Sequence, residues 1–454
     1  MATHQPIDSQ SSVSWWDRWV NSRWTLGLLV LVGLLLRLAA LALWPAPIVS
    51  DAQVYERQGW QIAQGLGLVD PVPTAFYPPL YPYVIGGLYA LLGRQPMLVQ
   101  LVQAILSAVT SVAIYDIVRT VWKRRDMALV AAGLVAIDFA WVLYPRLMLT
   151  ETLFGAVLAI AMVALARAWE SDRLVWWAGF GMATAGAALA RPPIEFLPLA
   201  VLASWLLRQW RRQQGRRLPI LRRWLLISAV VLTSFIVTVA PWVWRNARTF
   251  GVLTPQLTSS AGTGLYVSYF ALNGPVYEQK EFRDPRWAEG LRLKYEPTRQ
   301  AEWNRSAYLT REVMTYLRAH PWLIVQLVPQ KLLYLAWPYD WVLFSGHGYL
   351  DLTYVALIPF VLLGLWQVHC ARQWQQTAPV WLVILYTIGM SVMFLGAPRY
   401  RMPIHPYVYA FAAIGLLWWI QRHAAWPRWI AGWLFAVALI AASSDRVKQL
   451  LAGL

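Results

Sequence analysis

The sequence predicts an all-α, polytopic membrane protein of about eleven transmembrane helices, and three observations predict it. Of its 454 residues, 58% are hydrophobic and only 13% charged, and the mean hydropathy is positive, a balance that soluble domains do not reach. Apolar runs long enough to cross the hydrocarbon core recur along the chain. Many of the 29 tryptophans stand at the ends of those runs, among them Trp44, Trp122, Trp169, Trp244 and Trp337. There an amphipathic ring is most stable at headgroup level.

A span needs about 20 apolar residues. That length places spans at roughly 25–44, 97–121, 128–144, 150–169, 174–190, 194–210, 224–244, 350–370, 378–397, 403–421 and 427–443. The first run carries Arg37 and no small-residue cleavage site, so it is expected to be retained as a helix and not removed as a signal peptide. Two further segments, 79–93 and 321–337, are short or interrupted by Pro and Lys. They are expected as interfacial or re-entrant helices within the first and the long outer loops. The chain thus reads as a cytoplasmic segment 1–24, a single transmembrane domain 25–443 and a short tail 444–454. The domain includes a first extracytoplasmic loop 45–96 and a long one 245–349, the latter with an amphipathic stretch from about Trp303 to Leu317.

The net charge of +17 raises nucleic acid as a partner, but its placement argues against that reading. The basic clusters "WKRRD", "RAWESDR", "RQWRRQQGRRLPILRR", "HCARQW" and "QRHAAWPR" fall in alternate short loops, the positive-inside pattern. The single cysteine, Cys370, excludes a disulfide framework and a cysteine metal site.

The opposite face receives the chemistry. It gathers carboxylates at Asp51, Glu56 and Glu151, and guanidiniums at Arg191, Arg245, Arg399 and Arg401. Short exported loops ordinarily avoid arginine, yet here it stands beside proline in "ARPP", "PWVWRN" and "APRYRMP", where rigid backbone fixes its direction. Guanidinium binds phosphate oxygens through paired hydrogen bonds. A carboxylate in the same cleft can take a proton from an incoming hydroxyl. The combination suits displacement of a lipid-linked phosphate. Arg37 and Arg119 are the charges within spans, each expected to snorkel from a nearby helix end.

Five stretches carry a resemblance: "SDAQVYERQGWQIAQGLGLVDPVPTAFYPPLYPYVIGGLYALLG" (50–93), "YPRLMLTETLF" (144–154), "ALARPP" (188–193), "PWVWRNARTFGVLTP" (241–255) and "RYRMPIHP" (399–406). In this order they resemble the GT-C membrane glycosyltransferases, closest to the bacterial group related to protein O-mannosyltransferases and lipid A aminoarabinose transferases. The resemblance implies a polyprenyl-phosphate sugar donor, a hexose or pentose transferred with inversion, and an active site on the extracytoplasmic face of a bacterial plasma membrane. It implies Asp51 as the catalytic acid of the first loop and Glu151 as the acid of the next. Arg245, Arg399 and Arg401 match basic positions near the donor phosphate, with Arg191 and Lys331 as further candidates. Many relatives carry a basic residue where this chain has Tyr77, and Lys331 is the candidate substitute.

Glu56, Tyr55, Tyr77, Tyr81, Tyr266, Tyr269, His347 and His405 are expected near the substrate, the tyrosines against sugar faces or the lipid groove. A reaction without a cofactor is favoured. The alternative is a divalent cation on Asp51 and Glu151, for which no ligand spacing of the HExxH kind is present. Membrane lipids and the donor are the expected partners, and the acceptor is open. A rival reading is a transporter or flippase for lipid-linked saccharides, which calls for polar or broken helices at the midplane and often for internal repeats. No repeat is found.

Overall fold

The computed structural model describes residues 15–70, 72–212, 217–271, 284–341, 348–394, 396–422, 429 and 432–433. A short helix, α1 (Trp15–Asn21), precedes α2 (Thr25–Leu43), and the first loop then folds into α3 (Asp51–Ala63) and α4 (Leu80–Leu92). The chain continues through α5 (Pro96–Trp122), α6 (Arg125–Ala136), α7 (Phe139–Leu143), α8 (Thr150–Ser171), α9 (Leu174–Ala190), α10 (Leu197–Arg212) and α11 (Arg217–Phe250). The long loop holds α12 (Ala261–Tyr266), α13 (Pro285–Lys294), α14 (Ala301–Ala319) and α15 (Trp322–Ala336). A two-stranded antiparallel ribbon, β1 (Tyr339–Trp341) with β2 (Gly348–Leu350), pairs Tyr339 with Leu350. The last elements are α16 (Leu352–Cys370), α17 (Ala378–Met393), α18 (Pro398–Arg401) and α19 (His405–Arg422).

The architecture is all-α apart from that ribbon. Among the described residues six helices are long and apolar enough to cross a membrane, or seven if the bent pair α6 and α7 is one span. The expected spans at 174–190, 194–210 and 378–397 form helices of 17, 16 and 16 residues, shorter than the length sought. The one at 427–443 lies almost wholly outside the described residues. The two segments set aside as short are α4 and α15, of 13 and 15 residues.

The expected span 128–144 is broken for a reason that the structure makes plain. Arg37 is completely buried and does not snorkel. Its guanidinium donates to the carbonyls of Ala136 (2.7 Å) and Val135 (3.2 Å), the last of α6, and to Ser107 Oγ (2.7 Å). Those carbonyls have no partner within their own helix. At the same break Phe139 N donates to Thr353 Oγ1 (2.9 Å), and the chain turns by 51°.

Most of α8 is buried: α5, α9 and α17 pack against it, and the same core continues through α6, α11 and α19. A second cluster joins α3 and α4 to α7 and the start of α8, and a third holds the long loop together around Tyr266, Trp287 and Leu309. The basic loops meet at one end of the bundle. Lys123 pairs with Glu170 (2.8 Å), Arg223 with Asp172 (3.0 Å), and Arg208 donates to the Trp169 carbonyl (3.2 Å).

The crossing of α16 on α19 is set by two glycines. A Cβ on Gly364 would overlap the Phe411 carbonyl oxygen, and one on Gly415 the Phe360 carbonyl oxygen. Without aqueous solvent to drive helices together, such small residues let backbones approach and gain dispersion contact. Gly364→Ala is therefore expected to lower stability by roughly 1–3 kcal/mol through overpacking, read as a lower unfolding temperature in detergent; an unchanged value would contradict this crossing.

Candidate functional site

Helix ends build the site. α2 and α9 end, and α8 and α18 begin, on the same side of the bundle, so Asp51, Glu151, Arg191 and Arg399 come together away from the basic loops. Ser50, just before Asp51, has φ 54° and ψ −128°. That conformation costs a non-glycine residue on the order of 1–3 kcal/mol. It turns the chain sharply into α3, with Asp51 as its first residue. Glu151 likewise sits in the first turn of α8, where the helix dipole favours a carboxylate.

Arg399 links the two acids. Its Nε donates to Glu151 Oε1 at 2.8 Å, and its Nη1 lies 3.7 Å from Asp51 Oδ2. Arg191 Nη1 approaches the same Glu151 oxygen at 2.8 Å, and its guanidinium lies over the Tyr400 ring at 4.8 Å. Glu151 is fully buried, and its second oxygen has no hydrogen-bond partner among the described residues. Asp51 is different: its side chain keeps 29% of its surface, and the nearest donor to its other oxygen is the Tyr77 hydroxyl at 3.5 Å. Burial, and then the charge of Asp51, push the Tyr77 phenol up, so it stays a donor. One acid is locked and the other is loosely held.

Tyr55 stands edge-on between Tyr77 (5.3 Å) and Tyr81 (5.2 Å), and Tyr81 donates to Gln103 Oε1 (3.1 Å). Tyr55 and Tyr81 are buried and form the wall behind Asp51.

Other expected site residues are placed elsewhere. Arg245 donates to the carbonyls of Thr74 (2.9 Å) and Leu68 (3.2 Å) and lies over Trp242, so it anchors the first loop. Glu56 is bound by Arg94 through two 2.8 Å hydrogen bonds and by Tyr89 (3.3 Å), which ties α3 to the approach of α5. Lys331 spends its three donors on Ser268 Oγ (2.7 Å) and the carbonyls of Val392 (2.9 Å) and Phe394 (3.1 Å) at the end of α17. Tyr269 packs beneath that ammonium, and Tyr266 belongs to the core of the long loop. His347 lies outside the described residues.

Arg401 parts from Arg399. It is buried, lies over Tyr354, and donates to the carbonyls of Leu335 (2.8 Å) and Trp337 and to His405 Nε2 (3.2 Å). His405 is buried too, its Nδ1 3.1 Å from Asp138 Oδ2, while Tyr409 donates to Asp138 Oδ1 (2.9 Å). Arg401 Nη2 is 3.5 Å from Asp351 Oδ2. Neither Asp138 nor Asp351 was picked out from the sequence, although an acid inside the apolar run 128–144 is itself a signal.

Asp138, Asp351 and His405 are the group among the described residues that could hold a metal ion, with ligand atoms within 4.8 Å of one another. The guanidinium of Arg401 already lies against two of the three, His405 and Asp351. Between Asp51 and Glu151 the guanidinium of Arg399 fills the same role.

The loop carrying Arg191 also borders an apolar cleft of about 780 Å³ beside the Pro241 bend of α11, lined by Ile236, Val239, Ala240, Val243 and Leu257. Its single acid is Glu195.

Residues 77–244 match the family described as dolichyl-phosphate-mannose-protein mannosyltransferase. No curated protein matches the sequence. The archaeal oligosaccharyltransferase AglB from Archaeoglobus fulgidus, solved with an inhibitory peptide and a dolichol-phosphate, is similar in structure, with TM-score 0.52 and 13% identity over 94% of this chain and 55% of that one. The Archaeoglobus fulgidus oligosaccharyltransferase in its apo form has TM-score 0.50 and 11% identity over 92% of this chain and 55% of that one. The chain therefore spans about half the length of these structures. The partial family match and these structures show that the chain shares the helical membrane fold of the archaeal oligosaccharyltransferase, with residues 77–244 matching the mannosyltransferase family.

Proposed function

We propose that the chain transfers one sugar from a polyprenyl-phosphate donor to an acceptor hydroxyl, with inversion at the anomeric carbon, on the extracytoplasmic side of the membrane. The observation that carries this reading is the asymmetry of the two acids around Arg399. Asp51 is only partly buried and loosely held, as a general base must be to meet a substrate proton. Glu151 is buried and holds two arginines.

In this reading the donor phosphate draws Arg399 and Arg191 toward itself and loosens the 3.7 Å contact with Asp51. The freed carboxylate accepts the proton of the acceptor hydroxyl as its oxygen attacks the anomeric carbon. The bond from that carbon to the phosphate oxygen breaks, and the guanidiniums stabilise the charge left on the phosphate. No step in this reading calls for a metal ion, because two guanidiniums turn to the phosphate where the negative charge grows.

The apolar cleft beside Pro241 suits the isoprenoid chain, since the Arg191 loop is shared between cleft and acid pair. The dolichol-phosphate bound by the archaeal enzyme supports the same class of donor here. A flippase would need polar groups lining a path through the bundle. The buried polar residues Arg37, Asp138 and Arg401 instead close their hydrogen bonds on protein groups.

Purified protein in detergent, given labelled polyprenyl-phosphate sugar and membrane extract as acceptor, is expected to form labelled product. Asp51→Asn should lower turnover by about 10²- to 10⁴-fold while polyprenyl phosphate still binds; intact turnover would contradict the proposed base. Ala240→Trp, which fills the cleft, should raise the donor KM and leave kcat within a few-fold. An unchanged KM would remove the cleft from the donor site.

A further inference from the structure

Arg399 and Arg401 lie two residues apart on the single turn of α18, about 200° apart around a helix. One faces the acids and the other faces inward. The inward side is a closed buried network: Tyr409 to Asp138, Asp138 to His405, His405 to Arg401, Arg401 to Asp351. Its members come from the α6–α7 break, the start of α16 and α19, and α18 is the short element between them. Arg401 also takes the carbonyls of Leu335 and Trp337 at the end of α15. Arg401 Nε and Nη1 are hydrogen-bonded and Nη2 is ion-paired with Asp351, so the guanidinium is held on three sides and its direction constrains α18. The turn is too short to fix itself.

We propose that Asp138, His405 and Asp351 are positioning residues, which hold Arg401 inside the fold and so fix the direction of Arg399 against Glu151 and Asp51. This rests on the reading of Arg399 as the phosphate-binding cation. The network's contacts are all to protein groups, and Arg401 enters it from the side of the α18 turn opposite Arg399. Arg401 thereby has a reason to be arginine that is independent of phosphate: its planar fork spans several acceptors at once, which a lysine ammonium would not.

The hydrogen-bond directions are consistent with this role. Arg401 Nε can only donate, so His405 Nε2 accepts, and His405 Nδ1 then carries the hydrogen given to Asp138. Asp138 is satisfied at both oxygens, by His405 and Tyr409. Losing one member frees the next to rotate. A displacement of about 1 Å at a group that orients a reacting centre costs on the order of 10²-fold in rate.

The test is a double-mutant cycle on sugar transfer by the full-length protein in detergent, with polyprenyl-phosphate binding measured alongside. Asp351→Asn alone should lower kcat/KM by about 10- to 100-fold, and Arg399→Lys alone by a comparable or larger factor. If Asp351 acts through Arg399, adding Asp351→Asn to Arg399→Lys costs less than threefold more. Losses that multiply would show a general structural role and overturn the proposal. Should Asp351→Asn fail to fold, Tyr409→Phe takes its place, because it removes one hydrogen bond and no charge. A wild-type protein that neither transfers sugar nor binds polyprenyl phosphate would overturn the underlying site reading, whereas binding with multiplicative losses overturns the positioning role alone.

Discussion

The site depends on how one largely enclosed guanidinium is divided between two carboxylates. Arg399 makes a tight hydrogen bond to Glu151 and only a loose contact with Asp51. Were both bonds tight, neither acid would be available for chemistry. Were neither tight, a cation would stand unpaired in a region of low dielectric, at a penalty of several kcal/mol. Arg191 adds the second cation that lets Glu151 remain fully buried. The four charges cancel, and the cluster can therefore receive an anion only by reorganising its pairs.

The rest of the fold serves that arrangement by holding four helix ends in register. The glycine crossing of α16 and α19 brings the last helices close, and Arg37 closes the break between α6 and α7 so that Asp138 can enter the core. The long loop clamps the first. Glu302 of α14 accepts from Thr74 Oγ1 (2.5 Å), Ala75 N (3.0 Å) and Ser259 Oγ (3.0 Å). Arg245 holds the same stretch from the other side. Tyr77, beside Asp51, follows immediately after this clamp. Residues distant in sequence thus set the direction of a side chain at the reacting centre.

Much of this was legible from the sequence, and the limits have physical causes. Apolar length and basic loops located the long spans and put Asp51, Glu151, Arg191 and Arg399 on one face, where the structure brings them into contact. What one-dimensional reading missed was pairing across distance. Glu56 was expected near the substrate because it stands close to Asp51 in sequence, but Arg94, 38 residues on, takes both its oxygens. Lys331 and Arg245 stand on the expected loop, but their donors are spent on carbonyls that no side-chain pattern reveals. The "RYR" pair was read as one phosphate clamp, yet residues two apart on a helical turn diverge. That "APRYRMP" forms such a turn became visible only in three dimensions. The shorter helices α9, α10 and α17 show the other limit, since hydropathy marks apolar content but not where a helix stops.

The central claim is that Arg399 exchanges a carboxylate for a phosphate while Asp51 stays free. A cryo-electron microscopy structure of the protein with a bound polyprenyl-phosphate sugar tests it most directly. The account predicts phosphate density within hydrogen-bond distance of Arg399 and Arg191, the isoprenoid chain leaving through the cleft beside Pro241, and Asp51 turned toward the sugar with no guanidinium against it. Phosphate bound elsewhere, with the contacts of Arg399 to Glu151 and Asp51 unchanged, would contradict it.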